Sequence, residues 1–143
     1  MLAQMLAPAA VLVLWTLIML FWLAATRFPA LGKIKDKSNL GKPGVRGTDL
    51  EGLLPDKVMW KSHNYQHLLE QPTIFYAASI ILALAGAGAW DVTLAWTYVA
   101  LRIIHSLWQS LVNQVWIRLS LFLISTIVLI ALAVRAVMAT AFG

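Results

Sequence analysis

Four long apolar stretches alternate with short polar ones along the chain. The first runs from about Ala7 to Thr26. Twenty residues at 1.5 Å each give roughly 30 Å, enough to cross the hydrocarbon core of a bilayer. Pro8 falls in its first turn, where a missing N–H costs little. A second helix is expected from Asp56 to about residue 89, opened by Pro55 with an acid in the first turn. It is longer than a bilayer needs, so its first three turns should stand in the headgroup layer. Pro72 lies inside it and predicts a kink. Its end, Ala85-Gly86-Ala87-Gly88-Ala89-Trp90, is built of small residues and closes on an interfacial tryptophan. Asp91 is the expected N-cap of a third helix over 92–112, and a fourth follows over 117–138. The very short link between the second and third helices makes those two antiparallel neighbours. The expected fold is an all-α, integral membrane four-helix bundle forming one domain over residues 1–143.

Between the first two rods lies a segment of another character. Residues 27–54 hold Pro29, Pro43 and five glycines, too many for a stable helix, and read as a surface loop. Arg27, Lys33, Lys35, Lys37, Lys42, Arg46, Lys57 and Lys61 make up eight of the eleven basic residues. Such an excess beside a membrane helix marks the cytoplasmic side, which puts both termini on the other side. It accounts for the net charge of +5 through orientation and anionic-lipid contact, without nucleic acid. Residues are 61% hydrophobic and mean hydropathy is +0.79, beyond the range of soluble domains. The apolar run after Met1 is too long for a signal peptide and lacks a basic leader, so it reads as a retained anchor. With no cysteine, disulfides, cysteine metal sites and a cysteine nucleophile are all excluded.

The polar residues inside the spans carry the candidate chemistry. His63, His67, Glu70 and Ile74 share one helical face by steps of four, three and four. A lone charge at the membrane centre costs roughly 2.5–3.5 kcal/mol on insertion scales, so Glu70 demands a partner. On the third helix Tyr98, Arg102, His105 and Gln109, followed by Asn113, form a continuous polar stripe that should face other helices or a wet cavity. Glu70 and Arg102 are the two charges expected inside the bundle. About 15 Å of rise separates them when counted from the Asp91 turn, so a direct bond is not assured. Three readings stand: a structural network fixing helix register, an anion site with arginines at the cytoplasmic end, or a zinc site of His63, His67 and Glu70, for which the spacing is weak. Arg27, where the first helix leaves the membrane, is a further anion-binding candidate. Arg135 should snorkel to the far interface. Ser62, Ser106 and Ser110 have no hydrolase motif around them.

The block His67-x-x-Glu70-x-Pro72-x-x-Phe75-Tyr76, then Leu101-Arg102-x-x-His105-Ser106-Leu107, Asn113 and Arg118, resembles the MAPEG family of membrane-associated proteins in eicosanoid and glutathione metabolism, and most closely its bacterial branch. The resemblance implies a four-helix protomer in a homotrimer within a bacterial inner membrane. It implies glutathione bound between subunits near the cytoplasmic side, with transferase or peroxidase chemistry on lipophilic substrates. By position, Glu70 and Arg102 match the family's buried acid and arginine, His105 a polar position of the third helix, and Arg118 the arginine that activates the thiol. Such a guanidinium favours thiolate, the reactive form. Glutathione-binding candidates are thus Glu70, His67, Arg102, His105, Gln109, Asn113 and Arg27, with Arg118 catalytic. The chain departs from the family where His67 replaces an asparagine, where His63 and Gln66 replace arginines, where Gln109 replaces a tyrosine, and where Leu119 replaces a serine. The thinner anion-binding set keeps a second reading open, a non-catalytic scaffold or subunit of a larger membrane complex.

Overall fold

The computed structural model describes residues 1–35 and 40–143; Lys37 of the basic loop lies outside the described residues. The described chain is helical: α1 (Leu2–Gly32), a 3-10 turn (Gly47–Leu50), α2 (Asp56–Glu70), α3 (Pro72–Ala85), α4 (Ala89–Leu111) and α5 (Val115–Ala141). Because α2 and α3 are two halves of one bent rod, the architecture is a four-rod antiparallel bundle. Three of the rods, α1, α2 with α3, and α5, are long and apolar enough to cross a membrane. The fourth, α4, carries the polar stripe and packs against α1, α2 and α5.

The packing follows a seven-residue rhythm. Met5, Leu12, Met19 and Leu23, with Ala9 and Thr16, are the buried positions of α1, spaced alternately four and three. Asp91, Ala95, Tyr98, Arg102, His105 and Gln109 repeat the spacing on α4, as do Ser125, Leu129, Leu132 and Ala136 on α5. Alternating steps of four and three keep one seam facing the neighbouring helix. The outward faces are equally apolar: Leu14, Phe21, Ile127, Ile130 and Val137 are exposed on the protomer. Outward hydrophobes of this kind suit a lipid solvent.

Several helix ends differ from the sequence expectation. Instead of stopping at Thr26, α1 continues to Gly32 through Pro29. A small second core holds this extension, with Ala30, Leu31 and Ile34 packed on Leu50, Leu54 and Met59, so tertiary burial outweighs the proline. At its start α1 begins at Leu2, and α5 spans 115–141 rather than 117–138. On the second rod the helix closes at Ala85, not residue 89, because Gly86 takes a left-handed φ of 101° and donates its N–H to Leu82 O at 3.1 Å. The N-cap of α4 is Gly88. Asp91 therefore sits in the first turn, where its carboxylate accepts the Gly88 N–H at 2.8 Å. It also accepts Arg135 Nε at 2.7 Å and Nη2 at 3.0 Å. Arg135 thus has a fixed partner in place of free snorkelling, and Asp91 is wholly buried.

The kink at Pro72 is present. Gln71 keeps helical angles, φ −60° and ψ −40°, so the rod bends without breaking. The Gln71 side chain fills the bend: it accepts Tyr98 Oη–H at 3.0 Å and donates to Thr126 Oγ1 at 2.9 Å. One residue thereby ties the second rod to both α4 and α5, and Phe75 stacks on Tyr98 with ring centroids 4.5 Å apart. Gln71→Leu should lower stability in detergent unfolding by about 1–2 kcal/mol, since it strands a buried hydroxyl. Gln66→Leu, at an exposed position, should change it by less than about 0.5 kcal/mol.

Candidate functional site

The site lies at the basic-loop end of the bundle, where α2, α4 and the start of α5 meet. Arg102 is fully buried. Its Nη2 donates to His67 Nδ1 at 2.6 Å and lies 3.4 Å from His67 O. Its Nε and Nη1 are buried with no partner among the described residues. A guanidinium only donates, so His67 must accept at Nδ1, which leaves the imidazole proton on Nε2. His67 stacks on His105 with centroids 4.8 Å apart and meets the edge of Phe122 at 5.5 Å. Arg102 therefore orders a short ring stack that spans three helices.

Arg118, in the first turns of α5, is half-buried and donates from Nη1 to Asn113 Oδ1 at 2.5 Å. Asn113 takes a left-handed φ of 55° in the turn between α4 and α5, a conformation asparagine tolerates better than most residues. Its N–H and that of Val112 both close on Trp108 O, at 2.7 and 2.9 Å. That turn holds the Asn113 amide against Arg118. No other guanidinium N–H of Arg118 has a protein partner among the described residues.

A cavity of about 370 Å³ opens between these elements. Its polar wall is His63, His67, His105, Gln109 and Arg118; its apolar wall is Val115, Leu119 and Phe122. Two polar atoms of that wall's residues, His105 Nδ1 and Gln109 Oε1, are buried without partners. No carboxylate lines it. Glu51 is bonded to His63 Nε2 at its edge.

The structure brings together five of the sequence candidates: His67, Arg102, His105, Gln109 and Arg118, with Asn113 behind Arg118. Two stand apart. Glu70 is exposed on the protomer and makes no side-chain bond among the described residues, so it does not pair with Arg102 within one subunit. The inward face of α2 runs through Asn64 and Leu68, and Glu70 is rotated away from it. Arg27 lines a different cavity and donates to Ser62 Oγ at 2.8 Å. His63, His67 and Glu70 do not converge as a metal set, and no other such group occurs among the described residues. Phe122 was absent from the sequence candidates, although its four-residue step from Arg118 puts it on the same face of α5.

A family profile described as the MAPEG family matches residues 5–138. The chain belongs to the MAPEG family. Searches of curated proteins and of solved structures returned no match. The MAPEG match covers all four rods, so the buried Arg102 and the cavity at Arg118 both lie within the shared fold. Membership places the chain among membrane proteins of glutathione-related transferase and peroxidase chemistry and their related scaffolds.

The Arg102–His67 bond generates a specific expectation. His67→Leu removes the one side-chain acceptor that Arg102 has among the described residues and should destabilise the protein by about 3–5 kcal/mol in detergent unfolding. His67→Asn keeps an acceptor and should recover at least half of that loss.

Proposed function

We propose that this protein is a glutathione-dependent transferase or peroxidase acting on lipophilic substrates within the membrane. The observation that carries this reading is the two-sided cavity at Arg118: cation and polar atoms on one wall, Val115, Leu119 and Phe122 on the other. Glutathione fits that chemistry. Its carboxylates and thiol match guanidinium and imidazole donors, and its amide and ammonium N–H groups match the unpartnered Gln109 Oε1. Arg118 is the residue proposed to act on the thiol, because a guanidinium lowers a thiol pKa and produces thiolate. His67 Nε2–H, held by Arg102, would donate to the same anion. The apolar wall would seat the lipophilic electrophile or hydroperoxide beside the sulfur.

Assembly as a homotrimer belongs to the same reading. Glu70 stands exposed where the polar α2 gives way to the apolar α3; a charge inside the bilayer costs roughly 2.5–3.5 kcal/mol, and a second copy covering it would remove that cost. The proposed orientation puts the basic loop in the cytoplasm of a bacterial inner membrane and both termini on the far side. Thiol labelling of Val45→Cys from the cytoplasmic face only, and of Gly143→Cys from the opposite face only, is the expected result.

The chemical test uses detergent-solubilised full-length protein with glutathione. Wild type should be protected from heat by glutathione and should show the ultraviolet absorbance of a bound thiolate near neutral pH. Arg118→Ala should lose the thiolate signal and lower turnover by about 10²-fold or more, the typical cost of one lost electrostatic donor. Absence of both signals in wild type would favour the non-catalytic reading, a MAPEG-fold scaffold or subunit of a larger membrane complex.

A further inference from the structure

A second anion-receptive cavity lies across α2 from the first. It measures about 420 Å³ and is formed where the end of α1 meets the 3-10 turn. Arg27 and Arg46 supply its charge, and Leu31, Leu40, Val45 and Leu50 its apolar lining. Arg27 is anchored through Nη2 to Ser62, yet its Nε is buried with no partner among the described residues. Gly47 lets the guanidinium lie close: a Cβ there would stand 3.0 Å from Arg27 Nη1. Among the described residues no acid lines the cavity. The nearest described carboxylates are engaged, Asp49 by the Arg46 backbone N–H at 2.7 Å and Glu51 by His63.

We propose that this cavity binds the phosphate of an anionic phospholipid, with the start of an acyl chain or glycerol backbone against the leucines. Three features converge on that chemistry. Two arginines in one lining can each meet phosphate oxygens. The apolar lining rejects a fully hydrated ion but suits an amphiphile. Arg27 follows directly on the apolar run of α1, at the depth where headgroups lie. Its lining shares no residue with the Arg118 cavity, and Arg27 approaches that cavity only through Ser62, one residue before His63.

The experiment is native mass spectrometry and thermal unfolding of the full-length protein, with four probes: phosphatidylglycerol, phosphatidylcholine, inorganic phosphate and glutathione. Wild type should retain phosphatidylglycerol in preference to phosphatidylcholine and gain thermal stability from it. Arg46→Gln should weaken retention about fivefold, the effect of one basic contact at a headgroup. Because Arg46 is exposed, this variant keeps the fold. Arg27→Gln should weaken it at least as much. Lys42→Gln removes an exposed charge outside the cavity and should leave retention within twofold. Equal losses in Lys42→Gln and Arg46→Gln would mean diffuse attraction and would overturn the proposal. Displacement of phosphatidylglycerol by inorganic phosphate, with the same thermal gain, would reassign the site to a free anion. Displacement by glutathione, with glutathione protection lost in Arg27→Gln, would make this cavity part of the glutathione site and sink the lipid assignment.

Discussion

The bundle depends on keeping a guanidinium where water does not reach. Arg102 is fully buried on α4 and bonded to a neutral imidazole, with no carboxylate in contact. Removing an arginine from water costs several kcal/mol even after relaxation, and one neutral acceptor offsets only part of that. The stripe around it is arranged accordingly. His105 stacks on the accepting ring, Phe122 closes its edge, and Gln109 continues the stripe one turn beyond. A charge held at such cost restricts how α2, α4 and α5 can slide, because a shift of one turn would leave it with no acceptor.

Polar contacts matter for register here in a way they would not in a soluble bundle. Hydrophobic association contributes little when the surrounding lipid is as apolar as leucine. The alternating seams of α1, α4 and α5 bring the rods together but discriminate poorly between one register and the next. Four side-chain links at different depths do the discriminating. Asp91 holds Arg135 at the far end, and Gln71 joins Tyr98 and Thr126 at the bend. Trp15 Nε1 donates to Ser106 Oγ at 3.1 Å between α1 and α4, and Arg102 holds His67 near the basic loop. They join α4 to α1, to α5 and, at two depths, to the second rod, and the second rod to α5, so together they connect all four.

Much of this was legible because membrane constraints are strict. Four rods, the bend at Pro72 and the inward stripe on α4 follow from hydropathy, from proline chemistry and from the cost of polar groups in lipid. Other features depended on information outside local sequence. The extension of α1 past Thr26 rests on burial against Leu50, Leu54 and Met59, contacts made across a glycine-rich loop. The end of α3 turned on which small residue took the left-handed angle, and Gly86 rather than a later one did. Which side of α2 faces inward was less legible. α2 is polar around much of its circumference, and its buried positions include Ser62 and Asn64, so no single apolar stripe marks its inner side. Asn64 and Leu68 each follow a site histidine by one residue, which is about 100° of rotation. That offset separates the buried stripe of α2 from the one carrying Glu70.

Glu70 and Arg102 then pose one problem in two places. The protomer leaves a carboxylate on its outer surface and two guanidinium nitrogens inside it without partners. They lie on adjacent, packed rods. In water such a separation would be trivial, since solvent screens both groups. In hydrocarbon neither group has that recourse, so the cost must be met by something that approaches from the Glu70 side. A neighbouring subunit can bring donors to the carboxylate, whereas lipid tails bring none. The cavity at Arg118 opens at the same end of the bundle, so whatever covers Glu70 also bears on the chemistry there. On the proposed trimer reading, assembly and ligand binding would be coupled through the one carboxylate of Glu70.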